Sequence, residues 1–247
     1  MTQRPNAPMQ DHILSSYDKA LRTMREKVLI MISITRKNLD AARRGLLERD
    51  TDLCNEAIAS DQDVNQLEKE VDQIGMEMLL KFQPAAIDLR QIMGTLRVAN
   101  NMERIADQAA GIAKRARIIN QLPEMTELNL IQPLFELCLR NLEATLAAFV
   151  SGDTEAAAMA RAADKQLDAA EKEFDREMLR VMESHASPLE GYLHLIFIAR
   201  FLERVGDHAK NICEDTIFIT DAKDVRFMKN KRAESMAAPD PKSAESA

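Results

Sequence analysis

The chain has 247 residues, 33 Lys and Arg against 40 Asp and Glu, a formal net charge of −7, no Trp and two Tyr. A net negative charge with so few rings argues against a nucleic-acid-binding surface, which wants basic patches and aromatic stacking platforms. No apolar run approaches the roughly 18–20 residues of a membrane span and no secretory h-region opens the chain, so direct membrane insertion is not expected. The distant cysteines Cys54, Cys138 and Cys213 fit buried thiols in a reducing cytoplasm better than a disulfide framework.

Proline falls near the ends (Pro5, Pro8, Pro239, Pro241) or between segments (Pro84, Pro123, Pro133, Pro188). The runs between are rich in Ala, Leu, Met, Glu, Lys and Arg, all good helix formers, and the expected fold class is all-α. Residues 1–10 read as a flexible tail. From about Asp11 to Glu48, Leu21, Met24, Val28, Ile32, Leu39, Ala42 and Leu46 recur at three- and four-residue steps, one face of a long helix. Asp50 caps a second helix, expected to run unbroken to about Lys81, where Phe82-Gln83-Pro84 stops it. A third carries Leu89 to about Ile118. Gln121-Leu122-Pro123 is the linker. Helix four is expected from about Glu127 to Val150, with Pro133 tolerated near its first turn. Gly152 ends it, and Asp153 caps a fifth helix reaching about Ser184. Ser187-Pro188-Leu189-Glu190 reads as a capping box for helix six, which extends to about Thr220. Residues 228–247 are polar, rich in Ala, Ser and Pro, and expected to be disordered.

The pattern repeats. LRVANNMERIADQAAGIAKRA (96–116) aligns with IFIARFLERVGDHAKNICEDT (196–216), and six positions are identical: Ala99/Ala199, Glu103/Glu203, Arg104/Arg204, Asp107/Asp207, Ala109/Ala209 and Ile112/Ile212. Upstream, Asp61 matches Asp164, and Glu68-Lys69-Glu70-Val71-Asp72 matches Glu171-Lys172-Glu173-Phe174-Asp175, at an offset of 103 where the third helices are offset by 100. Each copy is a three-helix unit, over 11–120 and 121–227, and two such bundles in tandem are expected side by side.

Both copies align acids on their second and third helices. At about 100° per residue, Asp164, Asp168, Glu171 and Asp175 share one sector of about 60°, as do Asp61, Asn65, Glu68 and Asp72. Glu203 and Asp207 line up with Asn211 and Glu214, and Glu103 and Asp107 with Asn100. Like charges at i,i+4 cost about 0.2–0.5 kcal/mol a pair. Facing stripes of hard oxygens suit a divalent or trivalent cation such as Mg, Mn, Fe or Zn. The competing reading is a solvated polar face on the side of each helix away from its apolar stripe, with Arg104 and Arg204 pairing with Asp107 and Asp207. If metal binds, the site is expected to be shallow and open. His208 follows Asp207 but faces Gln108 in the other copy, which favours packing over ligation. Met76-Glu77-Met78 reads as core filler. No nucleophile–base constellation or Gly-rich phosphate loop appears, so an enzyme is not expected, and nothing resembles a dedicated phosphate-binding pocket, so direct phosphate sensing is not expected. A ferritin-like bundle needs Glu-x-x-His pairs, which are missing, and a purely structural three-helix array leaves the repeated ExxxD without a purpose.

These residues resemble a known family. Asp61-x-x-Val64-Asn65-x-Leu67-Glu68, then Pro84-x-x-x-Asp88-Leu89-Arg90, then Glu103-Arg104-Ile105-Ala106-Asp107 look like the first half of the PhoU family. Ala199-Arg200-x-x-Glu203-Arg204-Val205-Gly206-Asp207-His208-Ala209-x-Asn211-Ile212-x-Glu214 and Asp224-Val225-Arg226 look like its second half. The resemblance implies two tandem three-helix bundles, commonly a homodimer. It implies a cytoplasmic adaptor between the phosphate ABC importer, especially its ATPase subunit, and a membrane sensor histidine kinase. Such an adaptor represses the phosphate-starvation response when phosphate is plentiful. It also implies metal on the acidic motifs, here Asp61, Asn65, Glu103 and Asp107 in the first copy and Asp164, Asp168, Glu203 and Asp207 in the second. Asn65 departs from a full carboxylate pair, so the first site is expected to bind more weakly. Arg104 and Arg204 would orient the carboxylates or meet an acidic partner. The alternative function is a metal-binding or structural helical bundle with no part in phosphate signalling.

Overall fold

A computed structural model describes residues 7–184 and 189–226, with side chains from residue 15 onward. Every regular element in it is helical: α1 (Ala7–Leu47), α2 (Thr51–Ala59), α3 (Asp61–Phe82), α4 (Ala86–Ile119), a 3-10 turn (Thr126–Ile131), α5 (Gln132–Ser151), α6 (Thr154–Ser184) and α7 (Leu189–Asp221). α1 starts at Ala7, inside the segment expected to be a tail; the rest of that tail, the Ser187-Pro188 cap and the tail over 228–247 lie outside the described residues.

The apolar stripe of α1 is buried as its spacing demands: Leu21, Met24, Val28, Ile32, Leu39, Ala42 and Leu46 all face the core. Each large side chain so buried contributes on the order of 1.5–3 kcal/mol. Asp50 caps α2, its carboxylate accepting from the N–H groups of Asp52 and Leu53 at 2.9 and 3.1 Å. Asp153 does the same for α6, accepting from Glu155 and Ala156 at 3.0 and 2.9 Å. The chain turns into each of these caps through a left-handed residue, Arg49 at φ 55° and Gly152 at φ 69°.

Two expectations need correction. The second helix is not continuous: it breaks at Ser60, whose hydroxyl donates back to the Glu56 carbonyl at 2.9 Å while its own carbonyl accepts from the Asp63 N–H at 3.2 Å, a bond three residues on. A serine competing for backbone acceptors tightens and bends a helix. The matching Ala163 has no such hydroxyl, and α6 runs through. The fourth helix does not begin at Glu127; a 3-10 turn precedes it, and α5 starts at Gln132 with Pro133 in its first turn.

α1, α3 and α4 pack together, as do α5, α6 and α7, and α4 lies antiparallel along α7 to join the halves. The register is set by Gly94 against Ile219, Arg97 against Asp215, Asn101 against Asn211, Gly111 against Phe201 and Arg115 against Phe197. Exchanging the copies maps the Arg97–Asp215 ion pair (3.5 Å) onto Phe197 and Arg115, which form a cation–π contact of 4.5 Å. One end of the seam is therefore ionic and the other aromatic.

Candidate acidic ridges between paired helices

The second and third helices of each copy bring their acids to one seam. In the second copy the seam runs between α6 and α7. Asp164 is 5 % and Glu171 2 % exposed, and Glu214 is also buried. This corrects the expectation of stripes turned wholly away from the core in a shallow site: the apolar faces of α6 and α7 pull the helices so close that the acids flanking them are covered as well. Gly206 marks the approach, since a Cβ there would press on Leu167 and meet Asp164 Oδ1 at 3.0 Å. Asp207 and Asp72 remain exposed, and Asp61, Asn65, Asp107 and Asp168 are half-covered.

Burial and proximity act together on these groups. Burial raises the pKa of Asp61, reinforced by Asp107 across the α3–α4 seam, and raises that of Glu103, again reinforced by Asp107. Burial raises Asp164, with Lys210 opposing, and raises Glu171, reinforced by Asp175. Burial raises Glu203, reinforced by Asp207, Glu171 and Asp168. Desolvation disfavours the charged form, and a second carboxylate within a few ångströms disfavours it further. The structure thus assembles Asp61, Glu103 and Asp107 into one acidic group and Asp164, Asp168, Glu203 and Asp207 into another.

Among the described residues, no three His, Cys, Asp or Glu side chains converge into a ready set of metal ligands. The first ridge nevertheless shows unmet demand. The Asn65 amide donates to Asp61 Oδ2 at 3.4 Å, leaving Asp61 Oδ1 and Asn65 Oδ1 buried without a hydrogen-bond partner. Both are hard oxygens of the kind a Mg- or Mn-like cation takes. Arg104 approaches Glu103 at 3.3 Å and Asp107 at 3.7 Å, and is 51 % exposed, so its charge is largely screened by water. Arg204 has no ion pair among the described residues, so the two arginines do not act alike.

The second ridge holds three cations to which sequence reasoning gave no role there. Lys210 Nζ lies 3.1 Å from Asp164 Oδ2, Arg200 reaches Glu171 at 2.6 Å and Asp175 at 2.8 Å, and Arg161 donates to Glu214 at 2.8 Å. Setting the copies side by side would have exposed all three, since Lys210 stands where Ala110 does, Arg200 where Asn100 does and Arg161 where Ile58 does. His208 is a packing residue: its Nδ1 meets Asn101 Oδ1 across the seam at 3.1 Å, and burial lowers its pKa. Cys54, Cys138 and Cys213 are buried free thiols, pushed up to about 11, 12 and 11 by burial, which removes them as nucleophiles near neutral pH.

Known proteins share this architecture. A family model described as the PhoU domain matches residues 28–116 and again 131–216, once per copy. A "Phosphate-specific transport system accessory protein PhoU homolog" of Xylella fastidiosa is 31% identical over 214 residues, 87% of this chain and 89% of that protein. One from Pseudomonas putida is 31% identical over 222 residues, 90% of this chain and 87% of that protein. The crystal structure of PhoU from Pseudomonas aeruginosa superposes with a TM-score of 0.81 at 28% identity, covering 84% of this chain and 100% of that one. With both copies matched and the fold shared over 84% of the chain, the chain belongs to the PhoU family.

Proposed function

We propose that this chain is an accessory regulator of phosphate transport that acts by binding, without catalysis. The observation that carries the reading is the family match on both copies, together with relatives whose names describe accessory proteins of phosphate-specific transport. In this reading the protein works in the cytoplasm as a homodimer. It links the ATPase subunit of the phosphate importer to a membrane sensor histidine kinase and holds the starvation response off when phosphate is abundant. No helix among the described residues is long and apolar enough to cross a membrane, so contact with those assemblies would run through protein surfaces.

The acidic ridges supply the docking chemistry. In the first copy Asp61, Asn65, Glu103 and Asp107 would hold a divalent or trivalent cation, which would neutralise the ridge and leave coordination positions for a partner's oxygen ligands. The unpartnered oxygens of Asp61 and Asn65 favour that reading.

Deleting the gene and assaying a phosphate-starvation reporter in phosphate-rich medium tests the role. The expected outcome is a reporter that stays on, restored to off by the wild-type chain, with the importer ATPase recovered when the tagged protein is isolated from phosphate-replete cells. A deletion strain that represses normally overturns it.

A further inference from the structure

Internal duplication gives the molecule two equivalent corners, and the chain fills them differently. The first lies where the end of α1, the end of α4 and the start of α7 meet. The linker between the copies enters it: a Cβ on Gly191 would strike Met125 Sδ and meet Leu122 Cδ1 at 3.6 Å. Arg49 holds the carbonyls of Asn120 and Leu122, and the Asn120 amide donates to the Gly45 carbonyl at 3.0 Å. Met125 is buried there.

The second corner lies where the end of α5, the end of α7 and the start of α4 meet. The offsets of 103 and 100 carry Leu47 onto Val150, Arg49 onto Gly152, Asn120 onto Thr220 and Gly191 onto Gln91. Val150, Gly152, Thr220 and Gln91 all line a cleft of about 420 Å³, with Arg25 and Leu29 of α1 along one side. The chain leaving α7 does not turn into it. Val225, which answers to Met125, packs instead on the cluster of Ala157, Ala160 and Ile217, and its carbonyl accepts from Arg161 at 3.1 Å. The apolar walls stay in water: Leu29 is 45 %, Ile87 52 % and Val150 60 % exposed. Contiguous apolar surface of this kind marks an interaction site.

The filled corner shows what chemistry such a cleft takes, and the polar rim of the open one narrows it. The side chains of Gln91 and Thr220 form no hydrogen bond among the described residues, so both can bond the main chain of an entering peptide, as Arg49 and Asn120 do at the first corner. Arg25 stands where the first corner has Leu128, and it forms no ion pair among the described residues. A carboxylate of the occupant would meet it there.

We propose that the open corner is the docking site for a non-helical segment of a partner protein that copies the linker. Such a segment carries two apolar side chains three residues apart, like Leu122 and Met125, and an acid beside them, like Glu124. The apolar pair seats against Leu29, Ile87 and Val150, and the acid faces Arg25. The cleft shares no residue with the acidic ridges, so the inference does not depend on the cation reading given above.

A fluorescein-labelled peptide of residues 120–129 of this chain is the probe, titrated against the full chain by fluorescence polarisation. Saturable binding is expected, weakened about tenfold or more by Leu29→Asp/Val150→Asp, which puts charges in the apolar seat. Arg25→Glu should weaken it too, and a peptide carrying Glu124→Lys and Glu127→Lys should bind the Arg25→Glu chain better than wild type. Arg25→Glu serves by itself should the paired substitution not fold. A wild type that fails to bind the peptide overturns the proposal, as does binding that these substitutions leave unchanged. A dimer that Leu29→Asp/Val150→Asp dissociates in sedimentation velocity, and that the peptide leaves intact, overturns it as well and assigns the corner to a second copy of the chain.

Discussion

Arg49 and Gly152 occupy the same corner of the two copies, both left-handed, and resolve it differently. Gly152 meets the geometry without a Cβ. Arg49 accepts the strain and uses its side chain, donating from Nη2 to the carbonyls of Asn120 and Leu122 and so tying down the linker between copies. A left-handed backbone costs an L-residue about 1–2 kcal/mol. Gly152→Ala should therefore lower stability by about 1 kcal/mol in urea denaturation, with m unchanged. The glycine was legible in the sequence because it precedes the cap Asp153. The arginine was not, since nothing in Arg49-Asp50 announces a positive φ; the aligned copies supply the only hint.

Between elements, the close pass of α4 and α7 rests on a small residue at each end. A Cβ on Gly94 would strike the side chain of Ile219, and one on Gly111 would meet the Phe201 ring at 3.0 Å. The second contact leaves room for a ring to shift; the first does not. Gly94→Ala should cost about 1–3 kcal/mol by overpacking, and Ile219→Ala in the same chain should recover part of it, read as a positive coupling in a double-mutant cycle on thermal melts. Additive losses would show that the helices part easily here. Helix existence and the buried face of α1 followed from periodicity alone. The break at Ser60 did not, because one serine in a helix-favouring run gives no stop signal until its hydroxyl is seen bonded to Glu56.

Across the whole molecule, the seam joining the copies carries a titratable group. Asp215 is buried beside Arg97, with Arg226 and Glu214 nearby, and its pKa is raised to about 6, chiefly by burial, which the arginines oppose. The unfolded value is about 3.9, so between about 4 and about 6 the folded chain binds more protons than the unfolded one. The contribution of Asp215 to stability therefore rises as pH falls through that window and is lost above it. Relative to Asp215→Asn, wild type should gain stability when the pH drops from about 7 to about 4, measured as the difference between their urea midpoints. A difference that holds constant with pH would mean that Arg97 keeps Asp215 ionised throughout. The effect belongs to the assembled molecule, since Arg97, the ion-pair partner of Asp215, comes from the other copy.

Composition, periodicity and the internal duplication determined the helical class, the two-copy plan and the acids that line each ridge, because helix faces follow from residue spacing and need no partner. Tertiary structure decided what those acids are worth. Which carboxylates leave water, and which meet a lysine or arginine from a neighbouring helix, depends on how closely two helices approach. That distance is set by packing contacts far apart in the chain, such as Gly206 on Leu167, to which no local pattern refers.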